Sequence, residues 1–295
     1  MKKIHLLGIV LLIMTSCSEE STPSIEDSNQ ISGYKITNYH DFDDPTLEDY
    51  NFVTTGTLVN GKMHTLSTES FLNNISQGNL TTQQVYFYTN DLLIEINRIG
   101  GLIDNYFYDS LDRFVGAKRV FPTGNVLHYR FIYPNESTVY CENLDLPYSD
   151  PAANIIRRMI LIFDGDDNVI SAGYDNDLDG LINSQFNYNY ENGNLTSVTK
   201  PDGTIENYNY SSIIDTRYKL DELSYGKKVL RLICSETYCY GIAHSLRYNK
   251  NLTSQMASEA LFEVLPNNFY NKKSIFQDLS NPSGQTITEE EFFFN

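Results

Sequence analysis

Residues 186–210 read FNYNYENGNLTSVTKPDGTIENYNY, and this stretch decides the fold class. Phe186, Tyr188 and Tyr190 share one parity while Asn187 and Asn189 take the other. In an extended chain the rings therefore line one face and the amides the opposite face, which is the pattern of a half-buried strand. Asn192-Gly193 follows as a pair suited to the positive φ angles of a hairpin turn, and Pro201-Asp202-Gly203 supplies a second reversal before Tyr208 and Tyr210 resume the alternation. Two turns and three strands fit into this window. The register stays open here, because a two-residue loop and a three-residue loop closed by a bulge at Gly193 differ by one step, and one step exchanges the faces.

Working outward, the same idea recurs: a ring or aliphatic residue, any residue, a ring, a turn, and an apolar residue five or six positions after the second ring. Tyr86-Phe87-Tyr88 leads to Leu93, Tyr106-Phe107-Tyr108 to Phe114, and Phe131-Ile132-Tyr133 to Val139. Leu161-Ile162-Phe163 leads to Val169 and Tyr188-Asn189-Tyr190 to Leu195, with Tyr208-Asn209-Tyr210 as a degenerate sixth copy. Such a unit cannot bury its ring face alone and must stack beside the next. The fold expected is all-β: a long antiparallel meander of hairpins, curved or rolled into a barrel-like sheet.

The segment YNYENGNLTSVTKPDGT at Tyr188–Thr204 resembles the YD repeats of the RHS family, the other copies more loosely. The resemblance implies a curved antiparallel meander with no catalytic centre of its own. The protease-like and toxin segments of that family's large members are not evident in this sequence.

The N-terminal residues point to an address. Lys2 and Lys3 precede an apolar run from Ile4 to Met14, too short to span a bilayer as a folded anchor, and the segment ends Ile13-Met14-Thr15-Ser16-Cys17. This ending resembles the lipobox of bacterial lipoproteins, with Met14 where Leu is usual, and implies cleavage after residue 16 and lipidation at Cys17. Two or more acyl chains, at about 0.8 kcal/mol per buried CH₂, hold a soluble body at a membrane. Ser18-Glu19-Glu20 is similar to an acidic sorting tag for the outer face of the outer membrane. The domain plan expected is a signal peptide over residues 1–16, a polar tether over 17–30, and a single β-repeat domain over 31–295. Together the leader and repeats resemble RHS-repeat surface lipoproteins of Gram-negative bacteria.

Composition agrees with strands and turns: Tyr (22) and Phe (16) are plentiful and Trp is absent. With 21 basic residues, two of them in the leader, against 38 acidic ones, the surface repels phosphate backbones and attracts divalent cations. Nucleic acid is therefore excluded as a partner, and the membrane is reached only through the lipid. One segment reads as a short helix near the C-terminus, Ser254–Leu265, with Met256, Leu261, Val264 and Leu265 near helical spacing ahead of Pro266, while Ser67–Asn79 stays ambiguous between strand and one short helix. Val229–Cys234 reads as a strand, after a turn at Tyr225-Gly226.

Chemistry concentrates in Asp175-Asn176-Asp177-Leu178-Asp179-Gly180. Carboxylates at positions 1, 3 and 5 with Gly at 6 match the first half of a calcium loop, so Asp175, Asp177 and Asp179 are candidate calcium ligands. Phe186 occupies the place of the bidentate Glu, and a further acid would have to come from a neighbouring loop such as Asp164, Asp166 or Asp167. Cys234 and Cys239 are candidates for a disulfide, which leaves Cys141 over. His40, His64, His128 and His244 stand in no catalytic motif, and no GxSxG elbow or P-loop is present. A glycosidase-type pair among the 38 acids stays open, since its separation is spatial. The sequence thus favours a lipid-anchored binding or structural module for a glycan or protein ligand. The alternative is a hydrolase or accessory glycan-binding subunit of a polysaccharide-uptake system.

Overall fold

The computed structural model describes residues 31–42, 49–237, 251–253, 260–264, 270–277 and 284–294. The strands are β1 (Ile31–Phe42), β2 (Tyr50–Val59), β3 (Lys62–Leu72), β4 (Ile75–Ser76), β5 (Thr81–Thr89), β6 (Leu92–Arg98), β7 (Leu102–Tyr108), β8 (Phe114–Val120), β9 (Val126–Asn135) and β10 (Thr138–Leu144). They continue as β11 (Ile155–Phe163), β12 (Val169–Tyr174), β13 (Ser184–Glu191), β14 (Asn194–Thr199), β15 (Ile205–Asn207), β16 (Tyr210–Ile214), β17 (Asn251–Thr253), β18 (Ala260–Val264), β19 (Tyr270–Gln277) and β20 (Gly284–Phe294). Among the described residues two helices, α1 (Thr216–Tyr225) and α2 (Lys227–Thr237), lie between β16 and β17.

All strand pairs are antiparallel. One 18-stranded sheet meanders from β2 to β15 with β4 as a stub on β3, and β1 joins β2 to the C-terminal run β20, β19 and β18. Among the described residues β15 and β18 are its two edges, so the sheet does not close into a barrel. The pair β16–β17 stands apart.

The repeat seen in the sequence is a pairing rule in the structure. In four copies the second ring faces the apolar residue beyond the turn: Tyr88 pairs with Leu93, Tyr108 with Phe114, Phe163 with Val169 and Tyr190 with Leu195, whereas in the third copy the ladder steps from Thr138 opposite Asn135 to Tyr140 opposite Ile132 without pairing Tyr133 and Val139. In each of the four the register shifts by one step beside the pair, a β-bulge that strengthens the local twist. Leu58 opposite Met63 obeys the same rule one hairpin earlier, where no ring advertises it. Leu93, Phe114, Val139 and Leu195 are among the most buried side chains, so the turn-proximal apolar residue anchors each hairpin to the core.

In the central window the register resolves in favour of the two-residue turn: Glu191 pairs with Asn194, and Asn192 and Gly193 adopt φ of 52° and 81°. The bulge sits one step beyond. Rings face the core as the parity requires, with Tyr188 buried and Asn187 and Asn189 exposed. The sixth copy does not form a hairpin, because Tyr208 lies between strands and Tyr210 begins β16 in the smaller sheet.

One helix expectation and one strand expectation are corrected, and the ambiguous segment is resolved. Ser67–Leu72 belongs to β3, whose backbone groups pair with β2 and β5. Of Ser254–Leu265, the described part Ala260–Val264 is strand β18, paired along β19 from Ala260 opposite Ser274 to Val264 opposite Tyr270. That ladder outweighs the helical spacing of a few apolar residues. Conversely, Val229–Cys234 lies in α2, since a short apolar run cannot be assigned by period alone.

These helices pack against the ring-bearing face of the sheet. Asp215 accepts the Tyr218 N–H at the start of α1, and Gly226 joins the helices, with its N–H on the Glu222 carbonyl and its carbonyl accepting the Leu230 N–H. Leu220 and Leu232 are fully buried. Ser224 Oγ accepts the Met63 N–H at 3.0 Å, the Tyr225 ring meets Tyr86 edge-on, the Lys228 ammonium lies 5.1 Å over Phe163, and Arg231 lies over Tyr190. Rings from several hairpins, Tyr86, Phe163 and Tyr190 among them, thus form a collar against α1 and α2.

Candidate metal centre

The face opposite the rings carries charge. Val139 and Cys141 of β10 point into the core, so Glu142 points the other way, directly opposite Arg130 on β9 and Arg158 on β11. Glu142 is wholly buried, its Oε2 accepting Arg130 Nε at 2.7 Å and its Oε1 accepting Arg158 Nε and Nη2 at 2.9 and 2.7 Å. Arg158 spends its remaining nitrogen on the loop after β12: Nη1 donates to Asp175 Oδ2 at 3.0 Å and to the Leu178 carbonyl at 3.3 Å. Burial opposes the charge on Arg158, but the Glu142 and Asp175 carboxylates outweigh it and hold the guanidinium above its ordinary range.

The loop 175–183 is pinned at its neck by the Asp175 N–H on the Arg158 carbonyl and the Asn183 N–H on the Tyr174 carbonyl. Asn176 N–H donates to Asn183 Oδ1, Leu181 N–H to Asp179 Oδ1, and Gly180 N–H to Asp175 Oδ2. Gly180 has φ +88°, a conformation that a side chain would strain, and it lets the chain double back over Asp175. As a result one oxygen from each of Asp175, Asp177 and Asp179 lies within 4.8 Å of the others. Asp177 and Asp179 are exposed; Asp175 is 1% exposed, and its Oδ1 is buried without a hydrogen-bond partner.

The three sequence candidates are therefore brought together, whereas the acids suggested as a supplement are not. Asp164, Asp166 and Asp167 form the turn before β12, at the far end of the strand whose other end opens this loop. The residues missed by sequence reasoning are Arg158, Glu142 and Arg130, which reach the site only through strand register. Of the other sequence candidates, Cys17 and Cys239 lie outside the described residues. Cys234 falls in α2, and Cys141 is buried on the core face.

A cleft of about 450 Å³ lies where α2 meets the turns of β7–β8 and β9–β10. Asp112 and Glu136 are exposed beside it, but Arg113 lies 5.2 Å and Lys228 5.9 Å over the Tyr133 ring, and the Tyr133 hydroxyl donates to the Phe114 carbonyl. The ring that could floor the cleft is thus covered by cations. Among the described residues no helix is long and apolar enough to cross a membrane.

No family model and no curated protein matches the chain. Among solved structures, a porin-like protein from Bacteroides uniformis ATCC 8492 aligns with 91% of this chain and 98% of its own at 11% identity and a TM-score of 0.39. A TcdB2-TccC3-Cdc42 complex aligns with 81% of this chain at 14% identity and a TM-score of 0.29, and this chain spans 12% of that one. Similarity at this level identifies no shared site.

Proposed function

We propose that the chain is a lipid-anchored cell-envelope protein, held at the outer membrane through Cys17 and facing the cell exterior, whose β-repeat body acts as a binding or structural module for a glycan or protein ligand. The observation that supports a module over a hydrolase is the helical cover on the ring-bearing face of the sheet. Where a glycosidase needs an open cleft with two carboxylates and free rings, this face is occupied by α1, α2 and the collar of rings against them. The leader ending at Cys17, the polar tether and the acidic body support the envelope address.

The experiment is production of the full chain in a Gram-negative host fed an alkyne-tagged fatty acid, followed by incubation of the purified lipoprotein with a panel of polysaccharides. The label is expected on the wild type and absent from Cys17→Ala, and the polysaccharides are expected to stay free of new reducing ends. An unlabelled wild type would refute the anchor, and release of reducing ends would favour the hydrolase.

A further inference from the structure

We infer that the loop 175–183 is a calcium site, with Asp175, Asp177 and Asp179 as its carboxylate ligands. An acidic motif alone would not carry this, because exposed acids commonly cluster without an ion. The observation that does is that Asp175, whose carboxylate clusters with the two exposed ones, keeps its Oδ1 buried without a hydrogen-bond partner. A buried acceptor without a partner costs about 1–3 kcal/mol, and more when charged. A cation on that oxygen would remove the cost.

The charge balance points the same way. On this face Glu142 and the three aspartates set four carboxylates against the two guanidiniums of Arg130 and Arg158. Glu142 is consumed by both arginines, and Arg158 reaches Asp175 through Oδ2, so neither arginine neutralises Asp177 or Asp179. The excess is negative and suits a divalent ion. Arg158 holds Asp175 and the Leu178 carbonyl in place, so one ligand is fixed before the ion arrives while the two exposed ones can adjust around it.

The donor set selects among ions. Three carboxylate oxygens, with neither imidazole nor thiolate in the cluster, exclude the preferences of zinc. Magnesium demands near-ideal octahedral geometry and parts reluctantly with water, whereas calcium tolerates an irregular shell completed by solvent. With Phe186 in place of the bidentate Glu and the positive charge of Arg158 adjacent, the affinity expected is that of extracellular modules, with Kd about 10⁻⁴ to 10⁻³ M.

The test is calorimetric titration of the chelator-stripped full chain with CaCl₂, beside Asp177→Ala, Asp179→Ala and Asp164→Asn. Asp177 and Asp179 are exposed, so their replacement leaves the fold intact, which circular dichroism verifies. One ion per chain is expected in the wild type and in Asp164→Asn, with affinity lowered at least about tenfold in each of the other two variants, as loss of one charged ligand implies. Absence of heat in the wild type, or unchanged affinity in either Asp177→Ala or Asp179→Ala, overturns the inference. Because no glycan or lipid enters this experiment, its failure is separate from failure of the envelope module.

Discussion

Strand β12 has an acidic loop at each end, and the two behave differently. The turn before it, Asp164-Gly165-Asp166-Asp167-Asn168, has its carboxylates served by its own N–H groups and by lysines of α2. Asp164 Oδ1 accepts the N–H groups of Asp166 and Asn168, Oδ2 accepts the Asn168 amide, and from α2 Lys227 reaches the Asp166 carbonyl while Lys228 lies 3.5 Å from Asp167. The buried acceptor left over there is the neutral Oδ1 of Asn168. The loop after β12 keeps a buried carboxylate oxygen unpartnered, and it faces Arg158 and Glu142 instead of a helix bearing lysines. Sequence reads both as Asp/Gly-rich turns. Position on the sheet separates them: the first abuts helix α2, and the second closes over the ionic row on the opposite face.

The largest effect that would break this contrast is removal of Glu142. Glu142→Ala leaves Arg130 and Arg158 without their buried carboxylate and takes away the strut that aims Arg158 at Asp175. A loss of about 3–5 kcal/mol is expected from chemical denaturation. A loss below about 1 kcal/mol would mean that the ionic row does not support the second loop.

A smaller effect sharpens the first loop. Burial works against the Asp164 charge, but the hydrogen bonds from Asn168 and Asp166 outweigh it and hold the carboxyl below the usual range. A depressed folded value gives stability that is present above the unfolded pKa and lost as pH falls through the folded one. Asp164→Asn is therefore expected to cost about 1 kcal/mol or less at pH 7, reduced by solvent screening, and nothing near pH 2. An undiminished difference in acid would show that packing, not charge, is what the substitution removes.

How much of this was legible follows from the range of each interaction. The hairpins were, because the ring, the turn and the apolar residue beyond it lie within one local unit; Tyr88 with Leu93 and Tyr190 with Leu195 pair across a few residues. The aspartate triad was legible for the same reason. The arginines that floor it were not, since Arg158 reaches Asp175 across 17 positions and Glu142 across 16, and only the register of β10 and β11 aligns them. The pool of acids suggested across β12 failed because a six-residue strand, at about 3.3 Å per residue, holds its ends roughly 20 Å apart. Helix α2 was hidden because Val229, Leu230, Leu232 and Ile233 suit a helical stripe as well as a strand, and the choice is made by the collar of rings that receives it.

The measurement that tests the central claim most directly is amide hydrogen exchange of the full chain with and without millimolar calcium, read separately in the two loops. Slower exchange is expected across residues 175–183 and in the adjoining ends of β12 and β13, with no change at 164–168, and Asp177→Ala is expected to abolish the difference. Protection in both loops, or in neither, would contradict the assignment of distinct roles to the two ends of β12.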